Sequence, residues 1–240
     1  MTTAPKSTTS LRDRLFPRRP LDAQEMFGAR AMRRIVRALP PVEAAYATIR
    51  FTIMRSKLLS VMDLLLPPDG RILDLGCGFG LFAAYFAQTQ PARQITGVDF
   101  NAKRIEMATG VMQSLGLTGH DFIAGDVRDL HVDGGFQGIY VLDVMHHVPK
   151  EDQEKLLGTL YNLLAPGGVL ILKDITTEPW FGLKFTEYLD RVMVGWDEPL
   201  AYRHHTEWGD MLAKLGLKTR AVRVPDVLPY PHVVIAGWKT

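Results

Sequence analysis

The chain has 240 residues, of which 47% are hydrophobic and 22% charged, and its net charge is +2. That suits one large α/β domain with a sizeable core and excludes a disordered or fibrous chain. No apolar run is long enough to span a bilayer, the first residues lack the apolar core of a secretory signal, and the single cysteine, Cys77, excludes an internal disulfide or thiolate cluster and fits a reducing, cytoplasmic compartment.

Residues 1–42 read as a basic arm followed by an amphipathic helix. Residues 1–50 hold ten Lys or Arg against four Asp or Glu, so positive charge is gathered at the front. The first twenty residues are rich in Ser, Thr and Arg, as transit peptides are, but read better as an irregular tail. From Asp22 to Leu39 the pattern is helical. Phe27, Ala31, Met32, Ile35, Val36 and Leu39 fall on one face, Arg30, Arg33, Arg34 and Arg37 on the other, with Met26 out of place on the arginine face. Pro40-Pro41 ends it. A second helix, about Glu43 to Leu66, is apolar on most sides and is expected to be buried. After the PPDG turn, strands 71–75, 94–99, 121–124, 138–142 and 169–173 alternate with helices 81–90, 102–115 and 150–164. An aromatic insert, Trp180–Tyr202, interrupts the rhythm. A last helix, 206–215, leads to strands 218–224 and 232–238. Alternation of this kind predicts a parallel sheet with right-handed crossovers and a ligand at the carboxyl ends of the strands.

The first strand runs into Gly76, Gly78 and Gly80, spaced G-x-G-x-G. The dinucleotide fingerprint needs its third glycine one place later, and no Lys-Ser/Thr follows for a phosphate loop. An acid, Asp74, stands inside the first strand. Asp99 ends the second, where a carboxylate can accept both hydroxyls of a ribose. Asp126 follows the third, where it can accept an exocyclic amine while Val127 offers backbone. Read singly, Asp99 could instead cap the next helix and Asp126 could make an Asx turn. Cys77 has no basic neighbour to make a thiolate.

In order, ILDLGCGFG, GVDF, GD, YVLDVMHHVP and LLAPGGVLIL resemble the successive motifs of class I S-adenosylmethionine-dependent methyltransferases of the small-molecule, quinone and lipid type. The resemblance covers roughly Leu59 to Lys173. It implies a Rossmann-like, seven-stranded, mostly parallel sheet with an antiparallel last strand and helices on both faces. The methyltransferase domain would span 43–240, with a lid insert at about 176–205. It also implies S-adenosylmethionine as cofactor, with S-adenosylhomocysteine as product. Gly76, Cys77 and Gly78 would approach its methionine part and Asp74 its ammonium. Asp99 would take the ribose and Asp126 the adenine amine, with Phe100, Val127 and Leu142 completing the pocket. No metal is required, because a sulfonium already makes its methyl group electrophilic.

The segment after the fourth strand, Asp143-Val144-Met145-His146, departs from the Asn/Asp-Pro-Pro-aromatic signature of amino-methylating DNA enzymes, and no aromatic-basic repeat points to nucleic acid. For acceptor chemistry the candidates are His146, Tyr188 and His204, with His147, His205 and Asp190 near them. A histidine could take a proton from the acceptor, or the site could supply alignment alone. In the insert, Phe181, Phe185, Leu189, Val192 and Trp196 are spaced as one helical face, with Phe185 and Tyr188 at the pocket mouth, so a bulky apolar acceptor is expected. The arginine helix either packs on the domain with a solvated face or touches an anionic membrane as a peripheral contact at its inner face. Two other functions are open on this sequence: aminopropyl transfer from the decarboxylated cofactor, which wants an acidic polyamine pocket, and a cofactor-binding regulatory module without turnover.

Overall fold

A computed structural model describes residues 23–196, 200–224 and 229–240, so the arm expected over the first twenty residues lies outside it. Two helices come first, α1 (Ala23–Ala38) and α2 (Pro41–Leu65). Then follow β1 (Gly70–Leu75), α3 (Leu81–Thr89), β2 (Arg93–Asp99), α4 (Ala102–Ser114), β3 (Asp121–Ala124) and β4 (Phe136–Leu142). A 3-10 turn (Met145–His147), α5 (Lys150–Leu163) and β5 (Leu164–Ile175) lead to the insert helix α6 (Trp180–Val194). The chain closes with α7 (His205–Lys214), β6 (Leu217–Arg223) and β7 (His232–Lys239).

The strands form one seven-stranded sheet in the order β3-β2-β1-β4-β5-β7-β6. β1 to β5 pair in parallel, and β7 runs antiparallel to both of its neighbours, as expected. The order reverses at β1 and β4, so their carboxyl ends open a crevice at the switch point. Both faces of the central strands are covered, which is why they are near-continuous apolar runs. Alternation sorts each strand between two cores. Ile72, Tyr140, Ile171 and Val234 face α1 to α3, while Leu73, Ile139, Leu170 and Val233 face α5 and α7. The same alternation sends Lys173 and Asp174, adjacent in β5, to opposite faces.

Most boundaries fall within one or two residues of the expected ones, and the departures have physical causes. β5 begins five residues early, because Leu164 already pairs with Phe136 and the chain then bulges through Gly167 (φ 76°) before the regular ladder resumes at Val169. α1 buries Ala31, Met32, Ile35 and Leu39, but Phe27, expected on that face, is 49% exposed. Gly28 takes the buried position instead, since a β-carbon there would run into Tyr85 of α3. α2 is not buried throughout. It breaks at Arg55 (φ 45°), and Val42, Tyr46 and Ile49 of its first half are exposed. In α6 the expected single face splits. Phe185 and Leu189 pack inward near Ile53, Ile175 and Tyr230, whereas Phe181, Val192 and the following Trp196 are exposed.

The second half of α2 is fastened by a buried ion pair. Arg93, at the start of β2, donates to Asp63 Oδ1 (2.5 Å) and to the carbonyls of Asp63, Leu66 and Pro67 (3.0, 3.3 and 2.7 Å). One guanidinium thus satisfies the open end of a helix and a buried carboxylate. Arg93→Ala is expected to destabilise the fold by about 3–5 kcal/mol in urea unfolding, because it strands Asp63 without its cation. Arg93→Lys should recover little, since an ammonium cannot span the same acceptors.

Candidate active site

The glycine loop turns at the carboxyl end of β1. Gly76 (φ 77°) and Gly78 (φ 55°) adopt left-handed backbone, which L side chains resist. A β-carbon on Gly76 would strike Val144, but one on Gly78 would meet nothing within 4 Å. Gly78 therefore leaves an open cradle, while Gly76 serves packing. The amides of Gly76 and Cys77 donate to the Val98 carbonyl (2.8 and 3.0 Å), tying the loop to β2. Asp99 Oδ2 accepts from the Gly78 amide (2.9 Å) and Oδ1 from the Asn101 amide (3.0 Å). Asn101, not Asp99, caps α4, accepting from the amides of Lys103 and Arg104. Phe100 projects beyond Asp99 and is 73% exposed.

Asp74 lies inside β1 opposite Tyr140 and is buried, and its Oδ2 has no hydrogen-bond partner. Burial pushes its carboxyl up to about 7, with Asp99 adding to the rise and the Tyr140 hydroxyl opposing it. Burial and the same two acids also push the Cys77 thiol up, so it is no nucleophile. Asp126 sits in an Asx turn. It accepts from the Arg128 amide (2.9 Å) and pairs with the Arg128 guanidinium (2.6 Å), whose hydrogen bonds lower its pKa. Val127 is half-buried and Leu142, at the end of β4, is buried. These residues line the carboxyl ends of β1 to β4. An orphaned buried carboxylate oxygen beside an open glycine cradle is what a ligand with an ammonium group would satisfy.

Beyond β4 lies a second, charged half of the site. Asp143 adopts left-handed backbone (φ 54°) and pairs with Arg50 of α2 (2.9 Å) and with the buried Lys173. These cations hold its carboxyl well below the ordinary range despite burial. His146 follows in the 3-10 turn, buried, with Nδ1 2.6 Å from Asp174 Oδ1. Its Nε2 has no hydrogen bond and lies 3.6 Å from Asp190 Oδ2. Tyr202 stacks on the His146 ring (5.0 Å, 18°) and donates its hydroxyl to Asp190 Oδ2 (2.5 Å). Burial disfavours the imidazolium, but Asp174, Asp143 and Asp190 outweigh it and raise its pKa. His147 is pushed down to about 4 by burial and by His146, so it is neutral. Gln153 holds the segment, donating to the carbonyls of Met145, Val148 and Ala201 (3.0, 3.0 and 3.1 Å).

The site gathers His146 and Asp190 but not the other two candidates. Tyr188 is 59% exposed on α6 and packs edge-on against Trp196. His204 caps α7, accepting from the Thr206 amide while Glu207 returns to the His204 amide (3.0 Å). His205 contacts Thr176 Oγ1 (3.1 Å). Arg50, Lys173 and Asp174 went unread in the sequence. A Lys-Asp pair ending the apolar strand VLILKDI was the available signal, because buried charges at a strand's carboxyl end need a reason.

Asp74 yields a test in pH. Its folded pKa lies above its unfolded value of 3.8, so the unfolded chain ionises first and native stability falls as pH rises from about 4 to about 7. The cost is on the order of 4 kcal/mol. Asp74→Asn is expected to raise the melting temperature of the ligand-free protein at pH 8 and to change it little below pH 4, measured by calorimetry. A variant no more stable than the parent at pH 8 would mean that the carboxylate is paired in solution.

The fold and the sequence each have relatives. Residues 72–168 match the family model described as a methyltransferase domain. The chain is 32% identical over 126 residues to a demethylmenaquinone methyltransferase of Thermus thermophilus, covering 51% of this chain and 56% of that protein. It is 31% identical over 121 residues to a carboxy-S-adenosyl-L-methionine synthase of a Shewanella species, covering 47% of each. It is also 35% identical over 102 residues to the sterol 24-C-methyltransferase erg-4 of Neurospora crassa, covering 42% of this chain and 26% of that protein. The chain thus spans about half the length, or less, of these curated relatives. Among solved structures, the S-adenosylmethionine-dependent methyltransferase SibL superposes with a TM-score of 0.65 at 18% identity, over 91% of this chain and 70% of that one. The motif order, the sheet with its reversed β7 and the matched stretch agree: residues 72–168 match a methyltransferase domain, and the sheet around them has the fold of such enzymes.

Proposed function

We propose that the protein transfers a methyl group from S-adenosylmethionine to a small, lipophilic acceptor and releases S-adenosylhomocysteine. The observation that carries this reading is the buried Asp74, with its unpartnered oxygen, beside the open cradle at Gly78. Asp74 would hold the ammonium of the methionine part, and Gly76, Cys77 and Gly78 would bring backbone against it. Asp99 spends one lone pair of each oxygen on the loop, which leaves acceptors on both for a ribose. Phe100 offers an exposed ring, Val127 a backbone amide and Leu142 an apolar wall for the adenine. Asp126 would take the adenine amine with the oxygen lone pairs that Arg128 leaves free. The bound sulfonium supplies an electrophilic methyl, so this chain need only align an acceptor and receive a proton.

His146 would receive that proton at Nε2, while Asp174 fixes the ring by its Nδ1 hydrogen and balances the imidazolium. The acid at the end of β4, Asp143, is already compensated by Arg50 and Lys173. That favours an acceptor without polyamine charge over aminopropyl transfer, and a poised histidine favours turnover over a purely regulatory module. A lipophilic acceptor suits the quinone and sterol named in two relatives and the apolar residues exposed on α2 and α6. The arginine face of α1 is a peripheral membrane contact in this reading.

Two experiments test the two halves. Asp99→Ala is expected to weaken S-adenosylhomocysteine binding by about 1–3 kcal/mol in calorimetry, with Asp99→Asn between it and the parent. Equal affinities would remove Asp99 from the ribose. For the acceptor half, S-adenosylhomocysteine release is first screened against quinone, sterol and phenol acceptors. His146→Gln should then lower kcat by about 10²–10⁴ while leaving S-adenosylhomocysteine affinity unchanged. The parent's kcat/KM should rise with pH through the raised pKa of His146, because only the neutral ring accepts a proton. A loss of less than tenfold with a flat pH profile would leave the site with alignment alone.

A further inference from the structure

The outward side of α6 is apolar where a surface helix is ordinarily polar. Trp180, Phe181, Tyr188, Val192 and the adjoining Trp196 are 74%, 54%, 59%, 57% and 63% exposed. In a helix of 3.6 residues per turn, Phe181, Tyr188 and Val192 lie on one stripe, away from the buried Gly182 and Thr186. Lys184 and Arg191 flank that stripe, both turned toward Glu187 (2.8 and 3.5 Å). The stripe does not stand alone. On α2, Val42, Tyr46 and Ile49 recur at i, i+4 and i+7, are exposed, and share their face with Ile53. Ile53 is buried in the small core that also receives Leu183, Phe185 and Leu189 of α6. α1, which packs on α2, presents Arg30, Arg33, Arg34 and Arg37 to solvent. Exposed apolar surface and exposed cations therefore follow one another from α1 through α2 to α6.

We propose that this surface docks the protein on an anionic lipid bilayer, with α6 lying in the interface plane and its aromatic stripe below the headgroups. This deepens the reading of a lipophilic acceptor and rests on it for its purpose, since an acceptor dissolved in the bilayer would reach the site between α2 and α6. Three observations select lipid as the occupant. Trp and Tyr edged by Lys and Arg is the composition of a membrane interface, where amphipathic rings sit at headgroup depth. The charge of α1, four arginines against one glutamate, is complementary to anionic headgroups. A two-fold contact centred on α1 would bring those four arginines against themselves, which like charges oppose. No helix among the described residues is long and apolar enough to cross a membrane, so the contact is peripheral.

The test uses the full chain, ligand-free, with vesicles of phosphatidylglycerol and phosphatidylcholine and with phosphatidylcholine alone. Sedimentation should show binding to the anionic vesicles that falls as salt rises. Trp180 and Trp196 are exposed, whereas Trp208 is buried, so binding should shift tryptophan emission to the blue. Acyl-chain-brominated lipid should quench it. Joint substitution Trp180→Ser, Phe181→Ser and Trp196→Ser is expected to weaken vesicle binding at least tenfold, with melting temperature and S-adenosylhomocysteine affinity unchanged. Replacing Arg30, Arg33, Arg34 and Arg37 by Gln should abolish the preference for anionic lipid. If the parent binds no vesicle at low salt, or binds without quenching, the proposal fails while methyl transfer stands. If light scattering instead finds a dimer that the serine variant splits, the face belongs to a second copy and the proposal is overturned. Loss of binding in the arginine variant alone would confine lipid contact to α1 and also overturn the role of α6.

Discussion

The site depends on one constraint: charges carried into a nearly dry interior must find partners there. Asp143, Lys173, Asp174 and His146 are all brought to the carboxyl ends of β4 and β5 by register, where Leu142 pairs with Lys173. Sheet geometry decides who meets whom. Lys173 faces the α2 side and joins Asp143, so Arg50 of α2 must come to the same carboxylate. Asp174 faces the other side and takes His146. Charge balance thus acts on the positions of α2 and of the 3-10 turn alongside apolar packing. The left-handed backbone at Asp143 fits this account, because unfavourable dihedrals persist where surrounding contacts over-determine them.

The two halves of the site differ in how they are built, and so in how far a sequence discloses them. The half proposed to hold the cofactor is made of local motifs. Gly76 to Gly80 follow β1 directly, and Asp99 and Asp126 stand at strand ends whose positions follow from alternation. The half proposed to receive the acceptor is made of distant pairs. Arg50 and Asp143 are 93 residues apart, Arg203 and Gln153 are 50 apart, and His146 and Asp174 are 28 apart. Periodicity places a residue on a face but does not say which face of another element it will meet. His146 was legible because it sits beside a strand end within a motif, whereas Arg50 lies in the middle of an apolar helix with no motif around it.

The misreadings have a common origin. Helical spacing in α6 and in the first half of α2 identifies an apolar side, and an apolar side is ordinarily turned inward. Both helices carry more apolar surface than the domain can cover. α6 half-buries Phe185 and Leu189 and leaves Phe181 and Val192 outside, though all four have the spacing of one face. Amphipathicity reports that a surface wants to leave water and does not name what will cover it. Phe27 and Gly28 make the smaller version of the point, since close approach to Tyr85 turned the helix so that a glycine is inside and a phenylalanine outside.

α6 also closes the argument about His146. Its inner side presents Asp190, 3.6 Å from Nε2, which is beyond hydrogen-bond reach and within ion-pair reach. The Tyr202 hydroxyl occupies the same carboxylate oxygen, and the Tyr202 ring covers one face of the imidazole. In the proposed reaction, an acceptor hydroxyl that donates to Nε2 would approach the edge of the ring that faces Asp190. Once the proton has moved, the imidazolium attracts Asp190 more strongly than the neutral ring did. Methyl transfer would thus leave α6 drawn toward the site, and discharge of that proton would loosen it.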